Sequence, residues 1–129
     1  MLLTLIFYLV IFPNVLTRLN PLTGDEPFYV MTAISLIRDH DLNEANNYQL
    51  RQYDAFYPPD PLPSNWQGWP SFPRTLPPHP AISRVPGLHT KHGLGVSFLI
   101  VIPYAIAGRV GADLLIMLCA VLLPVRCSC

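Results

Sequence analysis

The chain is 129 residues long, half of it apolar, with eight basic and eight acidic side chains and no net charge. That length allows one domain, and with no cluster of Lys and Arg the sequence excludes a nucleic-acid partner. The three cysteines, Cys119, Cys127 and Cys129, crowd at the carboxyl end, a distribution that does not fit a disulfide scaffold.

Apolar residues fill the two ends. The middle carries most of the charge, and residues 58–87 alone hold ten of the fifteen prolines. This division predicts an all-α integral membrane protein in which two to three transmembrane helices flank a long extracytoplasmic loop, with the plasma membrane as its location and membrane lipids as its surroundings.

Residues 1–18 form the first predicted helix. The stretch MLLTLIFYLVIFPNVLT carries no charge, and as a helix it is about 25 Å long, near the lower limit for spanning. A cleaved signal peptide is the rival, but the basic start and the small-x-small cleavage site are missing. Pro13 is tolerated because membrane helices accept kinks that soluble ones do not.

The loop, residues 19–91, divides in two. Phe28, Met31, Ile34, Leu36 and Ile37 recur at near-helical intervals, so 27–40 reads as an amphipathic helix lying on the bilayer surface. Residues 58–87, proline-rich and carrying Trp66, Trp69 and Phe72, read as irregular or polyproline chain, with the aromatics at the headgroups. Residues 92–125 are again apolar. A single helix of that length exceeds the roughly 30 Å hydrocarbon core, so a break at Gly108-Arg109-Val110-Gly111 is expected, giving transmembrane helices 2 and 3. A single tilted helix with an Arg109–Asp113 pair at i,i+4 is the alternative. Residues 126–129 form a tail. With the amino terminus in the cytoplasm, Arg109 returns to the cytoplasmic side, in keeping with the positive-inside rule.

The stretch Gly24-Asp25-Glu26-Pro27 has two readings. In the first it is a helix start: Thr23 and Glu26 have capping-box spacing, Pro27 suits a first helical position, and the acids complement the dipole. In the second, the first membrane segment brings the pair to the outer edge of the bilayer. A carboxylate there accepts a proton from an attacking hydroxyl or holds a divalent cation. Lys91 and His92, just before the second membrane region, return to the same surface. Lys91 either binds a lipid phosphate or snorkels to the headgroups. His89 and His92, at i,i+3, are a metal pair or two interfacial polar groups. His40 and His79 offer nothing specific.

Taken in order, a membrane helix, GDEPFY, a loop helix, a long outer loop and KHGLGVSFLIVIPYAIAG resemble the start of a C-type glycosyltransferase, the class that uses polyprenyl-phosphate-sugar donors. The likeness is to the bacterial branch related to protein O-mannosyltransferases and the lipid A aminoarabinose transferase, and it covers roughly residues 1–118. It implies transfer of a sugar from a lipid-linked donor to an extracytoplasmic acceptor. It also implies that Asp25 and Glu26 form the acidic catalytic motif, Asp25 as base or as ligand of Mg or Mn. Tyr29 matches an aromatic that follows that motif. Lys91 stands where the aminoarabinose branch has the lysine of a Lys-Pro-Pro stretch, so Tyr29, Lys91 and His92 become the substrate-binding candidates. Here the stretch reads Lys-His-Gly. Members of the family are several times longer, so the chain is expected to be an amino-terminal fragment. The alternative is a small multi-pass membrane protein, not an enzyme, in which GDEP only caps a helix.

Overall fold

A computed structural model of the chain describes residues 2–18, 22, 24–57 and 75–126, with side chains described over 5–13, 22, 24–57 and 75–122. All regular structure among these residues is helical. The one extended pairing is an antiparallel bridge between Pro80 and Thr90. Trp66, Trp69, Phe72 and most of the proline-rich segment lie outside the described residues, as do Thr23, Cys127 and Cys129.

Helix α1 spans Leu2–Arg18 and contains Pro13. Ile6, Phe7, Leu9 and Val10 on it are exposed. Helix α2, Glu26–Arg38, begins one residue before and ends two residues before the expected 27–40, with Pro27 in its first turn. It differs from the expected surface helix in its surroundings. Pro27, Phe28 and every residue from Val30 to Ser35 are buried, so the protein covers α2 on most sides. The reason is compositional. The polar side chains in the middle of α2 are Thr32 and Ser35, and both are hydrogen-bonded within the protein, Thr32 to the Phe28 carbonyl and Glu44, Ser35 to Asp41. A helix that is apolar nearly all round belongs inside.

The chain leaves α2 through His40, whose positive φ of 59° closes the helix end in a conformation more usual for glycine or asparagine. A short helix α3, Ala45–Gln49, and a 3₁₀ turn, Gln52–Ala55, follow. Asn47 fastens this region by donating to Asp39 at 2.7 Å and to Gln52 at 3.0 Å. Tyr53, Phe56 and Tyr57 complete the core against α2, together with Leu22, Leu76, Ile100 and Ala112.

Helix α4 runs over Leu94–Arg126, with non-helical backbone at Ala107 and Gly108. From Leu94 to Leu122 it is long and apolar enough to cross a membrane, and most of it is uncovered by the rest of the chain. It is not straight. A Cβ added at Gly111 would run into the Pro103 carbonyl, although eight residues of straight helix separate such groups by about 12 Å. Val96 and Ala120 also line one cavity. The two arms, 94–106 and 109–126, therefore fold toward each other about Gly108, whose φ of 57° and ψ of −144° lie in a region that glycine alone adopts readily. The Arg109–Asp113 pair, 3.4 Å apart, sits wholly within the second arm and does not require an unbroken helix.

Candidate functional site

Two segments meet at the start of α2. Its own first turn supplies Asp25, Glu26, Phe28 and Tyr29. The segment 79–92 is held against it by the backbone: the Ala81 N–H donates to the His89 carbonyl at 2.7 Å and the Lys91 N–H to the His79 carbonyl at 3.0 Å. This bridge puts His79 and His92 side by side. The same segment is tied to the turn after α2. The Glu44 N–H donates to the Leu88 carbonyl, the Leu88 N–H donates to Asn43, and His89 Nδ1 lies 2.9 Å from the Leu42 carbonyl. Gly87, at a φ of 121°, lets the chain pass Asn43, because a Cβ there would meet the Asn43 side chain.

Asp25 is the N-cap residue of α2, yet its side chain makes no capping hydrogen bond. Its main-chain carbonyl accepts from Phe28 and Tyr29, while its carboxylate turns to His92, with Nδ1 3.5 Å from Oδ1. That separation is longer than a tight hydrogen bond, as contacts in substrate-free sites often are. Exposure divides the two partners: the His92 side chain is 8% accessible and that of Asp25 62%. On its other edge, His92 Nε2 lies 3.1 Å from His79 Nδ1. Phe28 stacks against both imidazoles, at centroid distances of 4.2 Å for His79 and 4.5 Å for His92, within 21° and 10° of parallel. Tyr29 meets His92 edge-on at 6.0 Å. Partial burial pushes the His79 pKa below the ordinary histidine value, Lys91 and His92 push the same way, and Asp25 opposes them.

The sequence candidates thus separate. Asp25 and His92 are in contact, and Tyr29 flanks them. Glu26 and Tyr29 also line an apolar trough of about 630 Å³ between α1, α2 and α4, whose walls include Phe7, Ile11, Phe12 and Met117. That volume is in the range of small-molecule pockets, roughly 300–1,000 Å³. Arg109 and Asp113 line it as well. Lys91 is exposed and lies off the trough. His92, expected to meet substrate, is largely covered and engaged by Asp25 and His79. The His89–His92 metal pair does not form: the His89 ring nitrogens face the carbonyls of Leu42 and Pro86. Among the described residues no three acid, histidine or cysteine side chains converge as a metal site. Sequence reasoning passed over His79 and Phe28. His79 lies 13 residues from His92, and only the Pro80–Thr90 bridge joins them.

Comparison with protein-family models, with curated proteins and with solved structures gave no match. Among the described residues, fold and site together define a helical structure with one helix long and apolar enough to cross a membrane and an acid–histidine cluster beside an apolar trough.

Proposed function

We propose that the chain is the amino-terminal part of a membrane glycosyltransferase that moves a sugar from a polyprenyl-phosphate donor to an extracytoplasmic acceptor. The observation that carries this reading is the Asp25 carboxylate. It is accessible, makes no capping bond, and stands one residue from Glu26 on the wall of an apolar trough. In this reading α1 and the arms of α4 lie in the plasma membrane, and residues 24–92 lie on its outer side. The trough takes the isoprenoid of the donor. Tyr29 and Glu26 border the sugar, and Lys91, at the outer surface, faces the phosphate.

The chemistry follows from those positions. Asp25 takes the proton of the acceptor hydroxyl as that oxygen attacks the anomeric carbon. The new carbon–oxygen bond forms as the bond to the phosphate oxygen breaks, polyprenyl phosphate leaves with the electron pair, and the anomeric configuration inverts. General-base catalysis of this kind contributes roughly 10²- to 10⁴-fold. The test is transfer of a labelled sugar from its polyprenyl-phosphate carrier by membranes containing a full-length transferase that carries this chain as its amino-terminal part. Asp25→Asn should lower the rate by that factor. Turnover equal to wild type would reject the assignment and favour the helix-cap reading.

A further inference from the structure

We propose that His92, held by His79, is the positioning residue of Asp25: it engages Oδ1 through its Nδ1–H and leaves Oδ2 open to an incoming hydroxyl. The inference rests on the transferase reading for its role, and on geometry alone for its arrangement.

The direction of these polar contacts follows from donor inventory. An ionised Asp25 only accepts, so the His92 nitrogen 3.5 Å away must carry the proton for that contact to be attractive. The neutral ring then has a lone pair on Nε2, which needs a donor. His79 Nδ1, 3.1 Å away, is the atom in place to supply one. The contacts run from His79 Nδ1–H to His92 Nε2, and from His92 Nδ1–H to Asp25 Oδ1. A partner on the far nitrogen is the usual means by which proteins choose a histidine tautomer.

The surroundings hold both rings in that geometry. Phe28 lies three residues after Asp25 in the first turn of α2 and stacks against the two imidazoles, which are themselves within 27° of parallel. His92 cannot turn about its ring axis without leaving Phe28 or meeting Tyr29. Its own N–H donates to Thr90 Oγ1 at 3.3 Å, and the His79 carbonyl is bound by the Lys91 N–H. The charged groups beside the pair are Asp25 and Lys91. Partial burial pushes the His79 pKa down, which favours the neutral ring.

Nitrogen NMR on the full 129-residue chain, ¹⁵N-labelled at histidine in lipid nanodiscs, reads the arrangement directly. His92 should show a protonated Nδ1 and a bare Nε2. An Nε2–H tautomer in the wild-type protein overturns the proposal. His79→Phe keeps a ring on Phe28 but removes the donor, and should weaken that tautomer preference, which Asp25 alone then supports. A second pair of variants reads the role. His92→Phe should lower kcat of sugar transfer roughly 10- to 100-fold, the size at which outer partners that orient a functional side chain act, with KM unchanged. His92→Asn places an amide N–H near the former Nδ1 and should retain most of the rate. Equal losses in the two variants would mean a merely structural role and overturn the proposal. If a full-length transferase carrying this chain as its amino-terminal part transfers no sugar, the transferase reading fails, and the nitrogen spectrum still decides whether the three side chains form one unit.

Discussion

A methyl group at position 111 is the sharpest probe of the bend in α4. The added Cβ would collide with the carbonyl carbon and oxygen of Pro103 and press on the Ala107 Cβ at 3.2 Å. Main chain cannot rotate away as a flexible side chain does, so Gly111→Ala must push the arms apart or strain them. Overpacking of this kind costs roughly 1–3 kcal/mol, occasionally more. At about 4 °C per kcal/mol for a chain of this size, the melting temperature should fall by roughly 4–12 °C. Gly95→Ala is the control. Nothing lies within 4 Å of its Cβ, and exchanging a helical glycine for alanine gains up to about 1 kcal/mol. Thermal unfolding followed by circular dichroism in detergent measures both. Spin labels at exposed Phe98 and Leu118, with the native cysteines changed to serine, add a direct distance. A straight helix would separate those positions by about 30 Å, and the folded-back arms should bring them well inside that. A Gly111→Ala protein as stable as wild type, with labels near 30 Å, would refute the bend.

Two further predictions concern ionisable groups whose pKa values are shifted. Glu44 is 2% exposed, and burial raises its pKa against the opposing hydrogen bond from Thr32 and the charge of His89. The Thr32 hydroxyl lies 2.6 Å from Glu44 Oε1 and 3.0 Å from the Phe28 carbonyl, and it has only one proton to donate. A protonated Glu44 resolves this by donating to Thr32, which then donates to Phe28. Because the folded-state pKa is raised, stability is full below the unfolded value and is lost as pH rises through the folded one. Glu44→Gln should match wild type in acid and melt higher at pH 7.5, and a lower melting temperature at pH 7.5 would refute the argument. His79 has the opposite linkage. Its folded pKa is lowered, so its contribution is full above the ordinary value near 6.5 and is lost as pH falls toward the folded one. Melting between pH 7.5 and 5.5 should show a decline that is shallower in His79→Phe, and parallel curves would show that His79 carries none of it.

How far the sequence could be read depended on the range of the interactions involved. The start of α2 was legible because Pro27 and the acids before it act within one turn. The break in α4 was legible because glycine near the middle of an over-long apolar run is a local backbone signal, and the non-helical angles fall at Ala107 and Gly108. The enclosure of α2 was not legible. Phe28, Met31 and Ile34 at helical spacing define one apolar face, but Val30 and Ala33 extend it round the helix. Thr32 looks like the polar side until Glu44, twelve residues away, is seen to satisfy it. The His79–His92 contact depends on a single backbone bridge within proline-rich chain, where no periodic pattern marks a pairing.

The adjacent acids, Asp25 and Glu26, show how one turn of helix separates two roles. Successive helical residues point about 100° apart, so two neighbouring carboxylates at one helix start meet different neighbours. Glu26, the first residue of α2, faces the trough with Tyr29, which stands three residues on and therefore on the same side. Asp25, still in the cap, faces His92 instead. Phe28, three residues beyond Asp25, stacks on the histidine that Asp25 touches, so the cap residue and its i+3 neighbour grip one ring from its edge and its face. Exchanging the order of the two acids would keep the composition, the charge and the dipole complementarity of the helix start. It would not keep this site, because Oδ1 of Asp25 would no longer reach the ring and the trough would lose a carboxylate with the longer reach of glutamate. Capping tolerates that exchange, whereas an Asp25–His92 contact beside an apolar trough does not.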